Sequence, residues 1–257
     1  MIYPVKIDTL LEARWIIPVE PAGEVLRDHA IAIDKGLIQA ILPVAEAHSR
    51  FSPSERIVLG NHALIPGLVN LHIHAAMSLM RGMADDLPLM EWLHNHIWPA
   101  EARHVDAGFV FDGTRLACAE MLRGGITCFN DMYFFPEASV QAVLASGMRA
   151  AVGMIIIDFP TAYASDADDY LAKGLALRDE HGHHPLLSFC FAPHAPYTVS
   201  DKVFANVLTY AEQLDLPIHI HLHETDDEIT SSLKTTGVRP IERLYKLGLL
   251  GPNLIAV

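Results

Sequence analysis

Two patterns of hydrophobic and polar residues divide the chain near residue 62. In the first 62 residues, short runs with alternating or β-branched character are separated by Pro, Gly, Asn and Asp. This pattern is typical of antiparallel strands joined by turns. From Ala63 onward, short apolar runs alternate with longer helix-like segments. The sequence therefore predicts two domains, residues 1–62 and residues 63–257.

The second pattern predicts an α/β domain built on a parallel sheet. Its apolar runs lie at residues 64–72, 126–131, 150–158, 186–194, 216–223 and 253–257, and several of the segments between them end in Gly, a usual helix stop. Repeated alternation of strand and helix favours parallel strands with helical crossovers. Both an open doubly wound sheet and a closed barrel satisfy this pattern. No GxGxxG follows the first strand, which weakens the case for a dinucleotide-binding fold.

Composition narrows the classes of partner. The 257 residues include 18 Lys and Arg against 31 Asp and Glu, a formal charge of −13. This balance argues against binding to nucleic acid, because phosphates need a basic surface. Every apolar run is shorter than the roughly 18 residues of a membrane span, and the N-terminus shows no secretory signal. Three widely spaced cysteines indicate a reducing compartment. We expect a cytoplasmic protein without membrane or nucleic-acid partners that forms a homo-oligomer.

Histidines occupy an unusual place in the first apolar run, LVNLHIHAAM. His72 and His74 are two residues apart, and side chains at that spacing share one face of a strand. In a parallel barrel that face can be the interior, at the C-terminal mouth where barrel active sites lie. Two imidazoles there can bind one metal ion. The alternative is a pair of core histidines bonded to backbone carbonyls.

Two further runs also end in histidine, which favours the metal site. In PIHIHLHETD, His219, His221 and His223 alternate along a predicted strand and Glu224 follows, whereas His194 follows the strand in FAPHAPYT. The spacing does not identify which of these histidines is a ligand. Imidazoles without thiolates suit zinc, iron, nickel or copper, and a hydrolytic reaction without redox chemistry favours zinc.

Longer motifs resemble the amidohydrolase superfamily and, within it, the 5-methylthioadenosine/S-adenosylhomocysteine deaminases. PGLVNLHIH is similar to the strand-one signature of the superfamily. The narrower resemblance lies in SLMRGMADDL, EWL, WPAE, EMLRGGITCFNDMYFFPE, APHAPY and HIHLHET, which together span most of residues 64–225. It implies a (β/α)8 TIM-type barrel over residues 63–257 and a small N-terminal β-sandwich, of which residues 1–62 form a part.

The resemblance also implies a role for individual residues. His72, His74 and His221 match zinc ligands, and Glu224 matches the catalytic Glu that protonates the adenine ring. His194 and Glu101 match substrate-binding residues, with Glu101 placed on the ribose hydroxyls. His219 and His223 match no functional residue. The implied reaction is zinc-dependent hydrolytic deamination of an adenosine-type nucleoside. Met154 stands where some members carry an Arg for the substrate's tail, which favours 5-methylthioadenosine over S-adenosylhomocysteine.

Parts of the family pattern are absent from these 257 residues. Only about six of eight barrel strands are expected, and neither a strand-six His nor a strand-eight Asp is present. We expect the front portion of a longer protein or a truncated product, and we expect residues 1–257 alone not to form an active, stable monomer. Two alternatives stay open: a related metal aminohydrolase acting on another purine, a pterin or a triazine, and a truncated fragment without catalytic activity.

Overall fold

A computed structural model describes residues 3–257, which divide into two compact units. The smaller unit ends at Gly67 and contains a four-stranded sheet in the order β3-β2-β1-β4. Its elements are β1 (Val5–Ile16), β2 (Leu26–Asp34), β3 (Leu37–Pro43), helix α1 (Val44–Arg50) and β4 (Phe51–Leu64). The predicted boundary between residues 62 and 63, and the predicted β-sandwich, stay predictions.

The strand directions in the smaller sheet differ in part from the sequence-based expectation. β2 pairs antiparallel with both β1 and β3, as expected, but β4 pairs parallel with β1. The helix α1 explains the difference, because it carries the chain from β3 across the sheet to the opposite edge. A crossover of this kind lets the next strand enter in the same direction as its new neighbour. The sequence pattern did not predict this helix.

Six parallel strands form the sheet of the larger unit, Leu68–Val257, and lie side by side in chain order. They are β5 (Leu68–Ile73), β6 (Ile126–Met132), β7 (Arg149–Ile156), β8 (Leu187–Pro193), β9 (Ile218–Ile220) and β10 (Leu254–Ala256). Uninterrupted chain order is the arrangement of a TIM-type barrel, whereas a doubly wound sheet reverses its order. The barrel-type fold with six strands is therefore confirmed, and the doubly wound alternative is wrong.

Helices connect these strands and cover one face of the sheet. A 3-10 helix, Ala75–Met80, follows β5, and a π-helical turn, Leu93–Ile97, joins the first two α-helices of the unit. The α-helices are α2 (Leu89–Trp92), α3 (Trp98–His104), α4 (Ala107–Arg123), α5 (Pro136–Ser146), α6 (Ala167–His181), α7 (Asp201–Leu214), α8 (Asp226–Thr236) and α9 (Pro240–Lys246).

The ends of several helices are set by local sequence. Asp106 begins α4 by accepting a hydrogen bond from the backbone N–H of Phe109, and Asp166 begins α6 in the same way. Gly147 ends α5 in the left-handed conformation at φ 65°, which glycine adopts without a steric penalty. Within residues 3–257, no helix combines the length and the apolar character that crossing a bilayer requires.

The main core lies between this sheet and its helices. Its largest fully buried side chains include Phe129 of β6, Phe191 of β8, Tyr170 of α6 and Phe204 of α7. Alternate residues along each strand therefore face the helices, and the remaining ones face the concave side of the sheet. Residues at the C-terminal ends of the strands, beyond this packed core, can present polar groups.

Candidate metal centre and adjoining cavity

Three imidazoles converge at the C-terminal ends of β5 and β9. His72 lies within β5, His74 immediately follows it, and His221 immediately follows β9. One nitrogen from each ring lies within 4.8 Å of the other two. The Nε2 atom of His221 is 3.3 Å from that of His72 and 3.2 Å from that of His74. The first and fifth strands of the sheet thus bring together two histidine motifs that are about 150 residues apart in sequence.

The orientation of these rings fits a metal ion. His74 Nδ1 bonds the carbonyl oxygen of Met132 at 2.5 Å, and His221 Nδ1 bonds that of His194 at 2.9 Å. A carbonyl can only accept, so both Nδ1 atoms carry the proton and both Nε2 atoms present lone pairs. Four nitrogens or oxygens around zinc at about 2.0–2.1 Å stand about 3.3 Å apart. The separations of His221 Nε2 from the other two Nε2 atoms match this value, and ligation itself stays a prediction.

The protonation of the cluster is also suited to a cation. Burial and the neighbouring imidazoles lower the pKa of His72 to about 3 and that of His74 to about 4. Burial lowers the pKa of His221 as well. All three rings are therefore neutral near pH 7, and neutral imidazole is the form that binds metals.

An apolar cavity of about 280 Å³ adjoins the cluster. His74, His194 and Glu101 contribute polar groups to its lining, and most of the rest is aromatic or aliphatic. The remaining wall includes Met77, Trp92, Leu93, Trp98, Phe134, Phe135, Ile155, Ile157, Phe159 and Pro160. A mostly apolar cavity with a few convergent polar groups is typical of a small-molecule site.

Glu101 is the acidic residue in this cavity. It lies on α3, directly after the π-helical turn, a local distortion that is frequent at functional sites. Its carboxylate accepts a hydrogen bond of 2.8 Å from the hydroxyl of Tyr133. Burial raises the pKa of Glu101 to about 7, against the lowering effect of that hydrogen bond. The carboxyl group can therefore change its protonation state near neutral pH.

Glu224 lies at the mouth, three residues after His221. Its Oε2 accepts a hydrogen bond of 3.0 Å from the hydroxyl of Tyr197. Partial burial raises the pKa of Glu224, whereas Tyr197 and the nearby His74 oppose this. Its backbone N–H donates to a carboxylate oxygen of Glu228 at 2.9 Å, which fixes the loop where α8 begins. A carboxyl group of raised pKa near the imidazole cluster is suited to carry a proton.

His194 follows β8 and lines the cavity beside the cluster. Its Nδ1 is 2.9 Å from the hydroxyl oxygen of Thr198, and its ring lies 4.9 Å from that of His221. Burial and the neighbouring imidazoles lower its pKa well below the usual range. His194 is therefore a neutral hydrogen-bonding group facing the cavity, and its role in substrate binding stays a prediction.

One sequence-based expectation is wrong. Met154 was expected to lie at the substrate's tail, but its side chain is buried on the helix face of β7, in contact with the position of Gly174 in α6. Strand alternation explains the error, because Ile155 on the opposite face lines the cavity instead. Met154 therefore does not contribute to the choice between 5-methylthioadenosine and S-adenosylhomocysteine.

The sequence reasoning missed two functional contacts. Tyr133 and Tyr197, the hydrogen-bond partners of the two acidic residues, lie in the quoted motifs but were given no role there, and their position shortly after a strand end was the only further signal. Asp131 at the end of β6 has a structural role, because it is buried and accepts hydrogen bonds from the Ala75 N–H at 2.8 Å and the Ser139 hydroxyl at 3.0 Å. It thus holds the chain directly after His74.

The family comparison agrees with this architecture. A family model described as the amidohydrolase family matches residues 63–257, which is most of the chain. The chain therefore belongs to the amidohydrolase family.

Relatives within the family narrow the class. A 5-methylthioadenosine/S-adenosylhomocysteine deaminase from Saccharophagus degradans is 52% identical over 95% of this chain and 55% of its own length. One with the same description from Teredinibacter turnerae is 49% identical over 96% of this chain and 56% of its own length. The chain thus spans a little over half the length of these curated relatives.

Two solved structures are similar to this chain. The crystal structure of an adenosine deaminase from Xanthomonas campestris with bound zinc superposes with a TM-score of 0.97 at 51% identity, over 99% of this chain and 58% of that one. A zinc-complexed atrazine chlorohydrolase from Arthrobacter aurescens gives 0.85 at 21% identity, over 96% of this chain and 60% of that one. At that identity the second likeness concerns the fold alone.

Proposed function

We propose that the protein is a zinc-dependent deaminase that hydrolyses an adenosine-type nucleoside, with 5-methylthioadenosine as the preferred substrate. The observation that carries this proposal is the convergence of three neutral imidazoles beside an apolar cavity that contains Glu101. The relatives described as deaminases and the zinc-bound adenosine deaminase support it. The reaction replaces the exocyclic amino group of the purine by oxygen from water and releases ammonia.

In this proposal, His72, His74 and His221 would hold the metal. Bound there, zinc would lower the pKa of a water molecule and so make a hydroxide nucleophile available at neutral pH. Glu224 carries the proton that a purine ring nitrogen takes up as the ring is attacked, and its raised pKa favours the protonated form needed for that transfer. Tyr197 keeps the Glu224 carboxyl group in one orientation by its hydrogen bond.

Glu101 and His194 bind the substrate. An ionised carboxylate accepts hydrogen bonds from two adjacent ribose hydroxyls, and Tyr133 fixes its orientation from the other side. A ribose-binding carboxylate gives no advantage with a free base or a triazine, so Glu101 favours a nucleoside over those alternatives. His194 presents a neutral imidazole to the purine from the wall next to His221.

The cavity wall supports a preference for an apolar tail. Among the described residues that line the cavity, none is Lys or Arg, and the wall near β7 consists of Ile155, Ile157, Phe159 and Pro160. A methylthio group loses little by leaving water for such a surface, whereas a carboxylate loses its hydration without gaining a cationic partner.

We also propose that residues 1–62 contribute to a β-sandwich and residues 63–257 to the hydrolase barrel. A cytoplasmic location is supported by the three free cysteines, of which Cys118 and Cys190 are buried. A homo-oligomeric state is proposed as well, and light scattering on the purified protein measures it.

The test is ammonia release from a panel of substrates by zinc-loaded and chelated protein. The panel contains 5-methylthioadenosine, S-adenosylhomocysteine, adenosine, adenine, guanine and a chlorinated triazine. We expect release from the nucleosides that depends on zinc and is fastest with 5-methylthioadenosine. Faster turnover of S-adenosylhomocysteine would contradict the tail preference, and turnover of a free base or the triazine alone would contradict the nucleoside class. Zinc binding without turnover of any compound would support a fragment without catalytic activity.

A further inference from the structure

His219 is a fully buried histidine next to the candidate metal centre. It lies on β9 two residues before His221, and its side chain is 0% exposed. Its Nε2 atom is 2.9 Å from Nδ1 of His72, and the two rings meet edge to face with centroids 5.0 Å apart. Its other nitrogen, Nδ1, is buried and has no hydrogen-bond partner among residues 3–257. A buried polar atom without a partner is uncommon in proteins, so this one requires an explanation.

The contact to His219 distinguishes His72 from the other two candidate ligands. The Nδ1 atoms of His74 and His221 each bond a backbone carbonyl, which can only accept a hydrogen bond. Their Nε2 atoms are therefore free to bind a metal whether or not one is present. The partner of His72 is an imidazole nitrogen, which can either accept or donate. The tautomer of His72 is thus the only one of the three that the backbone does not determine.

We propose that His219 is a positioning residue that accepts a hydrogen bond from His72 Nδ1–H and so leaves the Nε2 lone pair of His72 free for the metal. The inference rests on the metal centre of the proposed function. In this arrangement each ring keeps one proton: His72 on Nδ1, and His219 on Nδ1. In the reverse arrangement His219 Nε2–H donates to His72 Nδ1, and the proton of His72 occupies Nε2, where it blocks metal binding.

The buried Nδ1 of His219 lacks a partner in both arrangements. In the ligating arrangement it is a buried N–H without an acceptor, and in the reverse arrangement it is a bare nitrogen without a donor. Both cost free energy, so the metal decides between them: an ion at His72 Nε2 requires the ligating arrangement, because a proton on that atom blocks ligation. Both rings remain neutral throughout, so the exchange of tautomers releases no net proton.

Substitution of His219 tests the acceptor directly. In His219→Gln, the side-chain amide oxygen can take the place of Nε2 and accept from His72 Nδ1–H, whereas His219→Leu fills the space without an acceptor. Removing such an outer partner of a metal ligand weakens metal affinity by about 10–100-fold. We therefore expect His219→Leu to bind zinc more weakly by that factor and His219→Gln to stay within a few-fold of wild type. Ile220→Val, a fully buried change on the same strand, is the matched control and should leave affinity unchanged.

Zinc affinity is measured by competition with a chromophoric chelator, and cobalt(II) absorption reports the ligand geometry. Thermal unfolding of each variant without metal separates loss of folding from loss of ligation. Nitrogen-15 NMR of the histidines in the wild-type protein gives a test that needs no variant. With zinc bound, His72 should carry its proton on Nδ1 and its metal on Nε2.

The outcomes separate this inference from the proposed function. Wild-type protein that binds neither zinc nor cobalt would overturn the metal centre and the inference together. Zinc bound equally well by wild type and a folded His219→Leu variant would overturn the inference alone. Zinc-bound wild-type protein in which His72 carries its proton on Nε2 would also overturn the inference alone.

Discussion

Gly113 lies in the middle of α4, where this helix crosses the 3-10 helix that follows His74. A Cβ atom at Gly113 would lie 2.4 Å from the carbonyl oxygen of Ala76, 2.9 Å from its Cα and 3.0 Å from its carbonyl carbon. All three are main-chain atoms, so no side-chain rotation relieves the overlap. The absence of a side chain at Gly113 therefore allows the helix to approach the segment that carries the candidate ligand.

Two opposing effects determine the result of Gly113→Ala. Replacing glycine by alanine inside a helix favours folding by about 1 kcal/mol. Overpacking costs about 1–3 kcal/mol, and contact with three backbone atoms places this site at the upper end. We expect a net loss of about 2 kcal/mol in the free energy of unfolding. For a domain of this size, that loss corresponds to a melting temperature lower by about 4–8 °C.

Gly108→Ala in the first turn of α4 is the matched control. Its Cβ would approach only a side-chain oxygen of Asp106, at 3.3 Å, and we expect a change within about 0.5 kcal/mol. Urea and thermal unfolding of both variants measure stability, and chelator competition measures zinc affinity, which should fall only in Gly113→Ala. A Gly113→Ala variant that melts at or above wild type with unchanged zinc affinity would refute the close packing of α4 against Ala76.

Three further predictions concern Glu224, Glu101 and the exposed strand β5. Glu224→Gln should lower the rate of ammonia release by roughly 100-fold or more with zinc still bound, because it removes the proton function and keeps the shape; near-normal turnover would reassign that role. Glu101 has a pKa of about 7, so the nucleoside KM should fall as pH rises from 6 to 8 and the carboxylate forms, and Glu101→Gln should abolish this dependence; a KM independent of pH in wild type would contradict it. Leu68, Val69 and Leu71 of β5 are 51–63% exposed, so residues 1–257 alone should self-associate in light scattering; a monomer that stays soluble at high concentration would contradict this.

The pattern of apolar residues was sufficient to predict the parallel sheet of the larger unit because its signals are local and repeated, whereas the barrel was expected from the family resemblance. Six apolar runs between helix-like segments predicted the parallel sheet, and the chain order of β5 to β10 agrees with them. The parallel pairing of β1 with β4 was not predicted, because it depends on a crossover through α1 rather than on the residues of either strand. Which face of a strand a residue occupies also depends on its exact position in the strand. An error of one residue therefore assigned Met154 to the cavity face, where Ile155 lies.

The candidate site was predictable only as far as its residues lie in motifs. The pair His72 and His74 and the cluster around His221 were visible as polar residues in apolar runs. The partners that orient them were not, because a hydrogen bond between distant strands leaves no local pattern. Neither Tyr133 beside Glu101 nor His219 beside His72 could be assigned a role without the three-dimensional structure.

Strand register is therefore a part of the proposed metal centre. The carbonyl that orients His74 belongs to Met132 at the end of β6, and the carbonyl that orients His221 belongs to His194, just after β8. Each is supplied by the strand next to the one that carries the ligand, so a slip of one residue would replace a carbonyl by an N–H or by empty space. Such a slip would release the Nδ1 proton of the ring and allow it to occupy Nε2. Burying Phe129 in β6 and Phe191 in β8, which opposes such slips, thus also maintains His74 and His221 in a form that can bind a metal.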